Sequence, residues 1–241
     1  MIDWLKRDPR EAPTVMVGDR PLPLVVRRLH NARRMTLRLA PDGSEVRISI
    51  PRWGRTAEAL DFARSRADWL AQQLAALPVR EPVRAGRPIP YRGEFIEIAH
   101  RTDAPRKPRL HDGRVSIGGP AETLEPRLRR WLESEAREHL SQDLVDYCAR
   151  IELPVPRLSL SNAGRRWGSC SAKGWIRINW RLVMAPDFVR RSVVAHEVAH
   201  LVHLDHSPRF HALLGELFEG DIAEANSWLK REGRGLFAQF G

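Results

Sequence analysis

The segment HEVAHLVHLDH, residues 196–206, concentrates side chains that could bind a metal ion. It holds four of the nine histidines of the chain, and a glutamate follows the first of them. On an α-helix His196 and His200 would lie one turn apart on the same face, so both imidazoles could reach one ion. Glu197 borders that face, a position that suits a general base acting on a metal-activated water. These residue types predict hydrolysis that depends on a bound Zn²⁺ ion.

A catalytic zinc site needs three protein ligands and one open position, so a third ligand is required. His206 is the predicted third ligand. His203 would stack along the same helix face, and three ligands in one row cannot surround an ion. We expect the helix to end near His203 and the chain to turn back, with Ser207-Pro208 starting the next helix. A downstream glutamate is the alternative third ligand, and the available ones are Glu216, Glu219 and Glu224.

The residues around the motif are apolar, as the stretch SVVAHEVAHLV shows, and they predict a helix that is buried on most sides. Burying two histidines and a glutamate without partners would be costly, and a metal gives both imidazoles a partner. The competing interpretation is a histidine-rich helix without a metal. His203 and His211 are expected to serve in packing, in support of the ligands or at the rim of the site.

Two strands are predicted before this helix, joined by a turn at residues 171–174. The second strand, WIRINWRL at residues 175–182, is our candidate for binding an extended substrate by strand addition. Arg166 and Asn179 are the candidates for stabilising an oxyanion. Cys170 is expected to be a buried structural residue and not a ligand or nucleophile.

The first half of the chain is predicted to be rich in β-strands. Strand patterns occur at residues 22–29, 33–40 and 45–51, and Pro41-Asp42-Gly43 predicts a hairpin turn between the last two. A helix is predicted over residues 56–77 with Thr56 as its cap, and another over about 122–151. We therefore expect an α+β fold: a β-rich region with one helix at residues 1–120, then a helical catalytic domain at residues 121–241, within one continuous unit.

Composition limits the setting in which the protein works. The chain has two well-separated cysteines, no signal-peptide pattern and no apolar run of membrane-spanning length, so we expect a cytoplasmic protein without a membrane partner. Its net charge is +10, almost all of its cations being arginine, which fits either a nucleic-acid partner or a codon bias. In the linear sequence the aromatic residues do not align with the arginines as a base-stacking surface would require.

The chain resembles the YgjP-like metallopeptidase domain, which is related to the SprT-like and WLM zinc proteins. The resemblance covers most of the chain except residues 1–20 and 78–115. It rests on Arg166-Trp167-Gly168-Ser169-Cys170, Asn179-Trp180, His196-Glu197-x-x-His200 and His206-Ser207-x-x-Phe210, and more weakly on NARRMTLRL, VRISIPR and the helix that carries Trp69. It implies a zincin-like catalytic half with a β-hairpin beside the active-site helix. It also implies zinc ligation by His196, His200 and His206, and Glu197 as base. One departure is His211, where relatives carry tryptophan.

The leading hypothesis is therefore a zinc metallopeptidase that acts on a peptide or protein substrate. One alternative is a DNA-associated protease of the SprT-like kind, whose arginines contact phosphates without sequence preference. Another is a non-catalytic, zinc-stabilised protein that binds nucleic acid. The sequence predicts no oligomeric state.

Overall fold

The structure, a computed structural model, describes residues 13–40, 43–77, 82–164 and 166–240. The predicted turn residues Pro41 and Asp42 lie outside the described residues. The described chain forms two compact units, one ending at residue 77 and one running from residue 82 to residue 240.

The first unit contains a four-stranded sheet and two helices. Its elements are β1 (Thr14–Val17), β2 (Arg20–Leu29), β3 (Thr36–Leu39), β4 (Val46–Pro51), α1 (Thr56–Ser65) and α2 (Ala67–Ala75). The strand order is β1-β2-β4-β3; β2 and β4 are parallel, and the other neighbours are antiparallel. The antiparallel pairing of β3 with β4 confirms the predicted hairpin strands. Alternate residues of the strands, such as Val46, Ile48 and Ile50, pack in one apolar core with residues of the helices.

The helix predicted over residues 56–77 is divided in two at Arg66, which lies between α1 and α2. The prediction that Thr56 caps it was wrong. Arg55 occupies the cap position, and its backbone N–H donates to Glu58 Oε2 at 3.2 Å. The hydroxyl of Thr56 instead accepts a hydrogen bond from Arg28 Nη2 at 2.9 Å, which joins the end of β2 to the start of α1.

The second unit contains two further sheets and four α-helices. Its elements are β5 (Pro88–Tyr91), β6 (Glu94–His100), β7 (Arg109–His111), β8 (Arg114–Ile117), α3 (Leu124–Arg150), β9 (Leu158–Ser161), β10 (Gly168–Cys170), β11 (Ile176–Asn179), α4 (Asp187–Ala199), α5 (Pro208–Leu217) and α6 (Ile222–Glu232). The sheet orders are β5-β6-β8-β7 and β10-β11-β9. The long helix α3 lies within the predicted range.

The described residues divide before β5, whereas the sequence suggested a division at residues 120/121. The reason is packing: Ile98 and Ile117 of β6 and β8 belong to the same buried cluster as Leu128 and Leu132 of α3. The apolar face of this sheet is thus completed by residues that follow it in the chain, and the two segments form one core.

Helix α4 is held against α3 by buried charges. Arg190 donates to Asp143 Oδ2 at 2.7 Å, and the two residues are 3% and 2% exposed. Arg191 also donates to Asp143 at 3.0 Å. An ion pair removed from water is geometrically demanding, so these contacts fix the position of α4, and with it the histidine motif, relative to α3.

The predicted α+β class is confirmed, with a β-rich first half and helices dominating from about residue 121. Within the described ranges, no helix combines the length and the apolar character that a membrane crossing would need.

Candidate metal centre

Helix α4 ends at the second histidine of the motif. Its last helical residue is Ala199 and His200 is the cap, so the helix is shorter than the predicted end near His203. Tight backbone bonds follow, from Leu201 N–H to Val198 O at 2.9 Å and from Val202 N–H to Ala199 O at 3.2 Å. The chain therefore leaves the helix axis at His200, and six residues later it brings His206 back to the other two histidines.

The three predicted ligands converge. One side-chain nitrogen each of His196, His200 and His206 lies within 4.8 Å of the others. The Nε2 atoms of His196 and His206 are 3.3 Å apart. Two nitrogens bound to one tetrahedral zinc at 2.0–2.1 Å would also lie about 3.3 Å apart, so this spacing already matches a ligated pair.

The orientation of His200 is set by a backbone carbonyl. Its Nδ1 lies 2.9 Å from the carbonyl oxygen of His203, which assigns the proton to Nδ1 and leaves Nε2 as the lone-pair donor. His203 therefore supports the site through its main chain, in agreement with the role expected for it.

Phe210 forms the apolar wall of the histidine cluster. It is completely buried, and its ring centroid lies 5.0, 4.5 and 4.8 Å from those of His196, His200 and His206. Burial, followed by the neighbouring His200 and His206, lowers the pKa of His196 to about 4, so its imidazole is neutral near pH 7 and able to ligate.

Glu197 is buried beside the ligands and is 5% exposed. Burial raises the pKa of its carboxyl to about 7, against the attraction of Arg166 and a hydrogen bond from the backbone N–H of Cys170. Its Oε2 atom is buried and has no hydrogen-bond partner. A carboxyl group whose pKa lies near neutrality, with one oxygen uncommitted, is suited to accept and return a proton.

Gly168 makes room for this carboxylate. A β-carbon on residue 168 would lie 2.3 Å from Oε1 of Glu197 and 2.7 Å from its Cδ. Any other residue at this position would displace either the carboxylate of Glu197 or strand β10. Gly168 thus belongs to the candidate site, which residue chemistry alone did not indicate, although the glycine belongs to the motif on which the resemblance rests.

An open cleft of about 280 Å³ gives access to these groups. The residues that line it are Arg166, Gly168, Ser169, Cys170, His196, Glu197, His200, Leu204 and His206. Strand β10 supplies one wall and the chain from α4 to His206 supplies the other. The exposed side chain of Leu204 gives the cleft an apolar edge.

The structure corrects the predicted substrate-binding strand. Within its sheet β11 is the central strand, paired with β10 on one side and with β9 on the other, so its backbone groups are already used. The edge strand beside α4 is β10. The parallel partner β9 begins at Leu158, too far back in the sequence for the local pattern to reveal that β11 would be enclosed.

The two oxyanion candidates have different positions. Arg166 lines the cleft. Asn179 is fully buried, and its amide is used internally: Nδ2 donates to Ala163 O at 2.9 Å and Oδ1 accepts from the backbone of Arg181 at 3.1 Å. The suggestion that Asn179 stabilises an oxyanion was therefore wrong, and its role is to cap the turn after β11.

Cys170 is half-buried and lines the cleft, where the sequence led us to expect a buried structural residue. Burial, and secondarily the charge of Glu197, raises the pKa of its thiol. A thiol with a raised pKa is a poor nucleophile near neutral pH, so the expectation that Cys170 is not the nucleophile agrees with its surroundings.

None of the three alternative glutamate ligands belongs to the converging group. Glu219 instead accepts hydrogen bonds from Tyr147, Arg150 and Arg191. Glu216 and Glu224 are exposed and do not line the cleft. The geometry thus favours the all-histidine ligand set.

The donor set fits a transition-metal ion. Three imidazoles are ligands that zinc, copper, iron and nickel accept, and Glu197, whose buried oxygen has no hydrogen-bond partner, lines the same cleft. Comparison with known families agrees with this interpretation, because the model of the YgjP-like metallopeptidase domain matches residues 33–232. No curated protein and no solved structure gives a significant match.

Proposed function

The chain belongs to the YgjP-like metallopeptidase domain family, and we propose that it hydrolyses peptide bonds with a zinc ion held by His196, His200 and His206. The observation that carries the proposal is the convergence of three imidazoles beside a buried carboxyl group whose pKa is near neutral. Family membership supports a peptidase or hydrolase, and the geometry supports the assignment of individual residues.

When bound, zinc supplies Lewis acidity, which polarises a carbonyl oxygen and makes water acidic enough to react near pH 7. The Nε2 atoms of His196 and His206 and the free Nε2 of His200 would hold it. Phe210 excludes water from one side of the imidazoles, so that side of the site has a low dielectric constant.

Glu197 is the proposed general base and acid. Its free oxygen takes the proton from the attacking water and returns it to the leaving amine nitrogen. Because the pKa of its carboxyl is raised to about 7, the group can change protonation state in both directions near neutral pH. Arg166, which also lines the cleft, is the proposed cation for the negative charge that develops on the carbonyl oxygen.

The substrate is proposed to bind as an extended strand along β10. The backbone carbonyl of Trp167 accepts a hydrogen bond from the N–H of Asn179 at 2.7 Å, and the N–H of Ser171 donates to the carbonyl of Trp175 at 3.0 Å. Trp167 and Ser171 thus direct their backbone groups toward the neighbouring strand. In an antiparallel ladder Gly168 and Cys170 then direct theirs to the other edge. The N–H of Cys170 already donates to Glu197, so the peptide is proposed to pair with the backbone groups of Gly168 and the carbonyl of Cys170. Both residues line the cleft, so a peptide added here would pass the metal ligands.

A non-catalytic zinc module is the second candidate, and Glu197 argues against it. A structural site is closed by four protein ligands, whereas this one has three and keeps a buried carboxylate oxygen uncommitted beside them. Burying that carboxyl group without a proton-transfer role would only cost stability.

The test is peptide-library cleavage by the full chain with one equivalent of Zn²⁺, read by mass spectrometry, beside Glu197→Gln. The glutamine is nearly isosteric and cannot accept the proton, so we expect cleavage to be lost while zinc is retained. Absence of cleavage by the wild type, with zinc bound, would favour the non-catalytic module. Equal cleavage by both proteins would show that Glu197 is not the base.

A further inference from the structure

One end of the first sheet gathers positive charge from separate parts of the chain. Strands β2 and β4 are parallel, with Leu29 paired to Pro51, so their carboxyl ends lie side by side at the same end of the sheet. Strand β3 begins there, since Thr36 pairs with Ser49. The loop at residues 30–35 and the loop at residues 52–55 are therefore neighbours at this end of the sheet.

Exposed arginines dominate these two loops and the strand end beside them. We name the group the arginine–tryptophan end and define it as Arg28, Arg33, Arg34, Arg52, Trp53 and Arg55, all of them exposed. No aspartate or glutamate occurs at residues 28–36 or 51–57. The nearest acidic group in the sequence, Glu58, accepts the backbone N–H of Arg55. Five guanidinium groups thus share a surface with little compensating charge.

Trp53 is the most exposed large apolar side chain of the described residues, at 79%. The turn that carries it is tight: Gly54 is buried, its N–H donates to Pro51 O at 3.0 Å, and a β-carbon on it would lie 3.3 Å from Ile50 Cβ. The backbone is therefore anchored while the indole projects outward. In the described parts of the chain its ring forms no aromatic pair and lies under no guanidinium.

A flat aromatic ring held out among arginines matches the chemistry of single-stranded nucleic acid. Bases stack on an exposed indole and phosphates pair with guanidinium groups, whereas a duplex keeps the faces of its bases inaccessible. In the linear sequence Trp53 is distant from Arg28, Arg33 and Arg34, so aromatic residues and arginines seemed unaligned. The parallel pairing of β2 with β4 is what brings them to one end.

We propose that the arginine–tryptophan end binds single-stranded nucleic acid, with Trp53 stacking on a base and the arginines contacting the phosphates. DNA and RNA share this chemistry. The surface lies wholly within the first unit and the proposed zinc site lies in the second. A variant can therefore lose nucleic-acid binding and keep peptide cleavage, or lose cleavage and keep binding, so the two proposals can be tested separately.

The experiment measures binding of the full chain to labelled single strands of about 15 nucleotides, as DNA and as RNA, by fluorescence anisotropy. Trp53→Ala should weaken binding about tenfold and Trp53→Phe less, since phenylalanine still stacks. The matched control is Trp69→Ala, because Trp69 is a half-exposed tryptophan of α2 in the same unit, and it should bind as the wild type does. Circular dichroism checks that each variant is folded.

Salt dependence tests the arginines. The double variant Arg33→Ala/Arg34→Ala should reduce the magnitude of the slope of log affinity against log salt by about 1.4, since about 0.7 counterion is released for each of the two single-strand phosphate contacts. Arg64→Ala, on α1, should leave the slope unchanged. Tighter binding of the matching duplex, equal affinity of Trp53→Ala and wild type, or binding only to anionic vesicles would each overturn the proposal. Tighter binding of one of the two single strands would show whether the surface binds DNA or RNA.

Discussion

The side chain of Glu197 occupies the space that a β-carbon on Gly168 would need, beside the strand that forms one wall of the cleft. Helix α4 and strand β10 approach so closely here that residue 168 of β10 has room for only a hydrogen beside the Glu197 side chain of α4. The position of the proposed base is therefore determined by a residue without a side chain.

Replacing Gly168 with alanine should reduce kcat strongly while zinc binding persists. The added methyl group would lie 2.3 Å from Oε1 of Glu197, and its three nearest heavy atoms would all belong to Glu197 and none to a histidine. A displacement of about 1 Å in a catalytic group costs about a hundredfold in rate. Peptide cleavage and zinc content are the measurements.

Gly215→Ala is the matched control, because a β-carbon there meets no atom within 4 Å and the residue lies in helix α5. It should leave activity unchanged and favour the helix slightly. Full activity of the Gly168→Ala protein would show that Glu197 can move without consequence, which would argue against its role as base.

Asp143→Ala should destabilise the protein by about 3 kcal/mol, because it leaves the buried guanidinium of Arg190 with only the partly exposed Asp187 as its counter-ion. Asp146→Ala is the control on the same helix. Asp146 accepts from Arg191 at 3.3 Å at the partly exposed surface, so its loss should cost less than about 1 kcal/mol. Urea unfolding followed by circular dichroism measures both, and similar losses in the two variants would contradict the distinction.

Glu219 should make the fold sensitive to acid. Although burial acts in the opposite direction, hydrogen bonds from Arg191, its backbone and Tyr147 lower the pKa of its carboxyl from 4.5 to about 2. A carboxyl group with a lowered pKa in the folded state contributes stability that is complete above pH 4.5. That stability is lost as the pH falls toward 2.

Glu219→Gln removes this contribution. The unfolding free energy of the wild type should therefore fall more steeply than that of the variant between about pH 5 and pH 2. Glu216→Gln, on the exposed surface of α5, is the control and should follow the wild type. Parallel pH curves for Glu219→Gln and the wild type would show that the network around Glu219 does not depend on its charge.

The convergence of the three histidines was predictable because its signal is local. His196 and His200 follow from helical periodicity, and His206 follows from the need for a ligand outside the helix. The α+β class and the β3–β4 hairpin strands also followed from short-range patterns. The resemblance to the YgjP-like family, confirmed by the match over residues 33–232, depended on motifs within the same segments.

The features that sequence reasoning missed depend on contacts between distant residues. The enclosure of β11 requires β9, whose parallel pairing joins Ile176 to Leu158 across the β10 segment. The use of the Asn179 amide requires the carbonyl of Ala163. The exact end of α4 is set by local backbone bonds that side-chain patterns do not specify.

The third ligand gives the sharpest test of the proposed site. His206→Ala should lower zinc affinity by at least a hundredfold in folded protein, because it removes one of three converging nitrogens. His203→Ala should keep the metal, since its contribution to His200 comes from a backbone carbonyl that alanine retains. Substitution of each glutamate should also keep zinc, and these residues are Glu216, Glu219 and Glu224. If His206→Ala held zinc and a glutamate variant lost it, the ligand would come from α5 or beyond, and the histidine cluster would need another explanation.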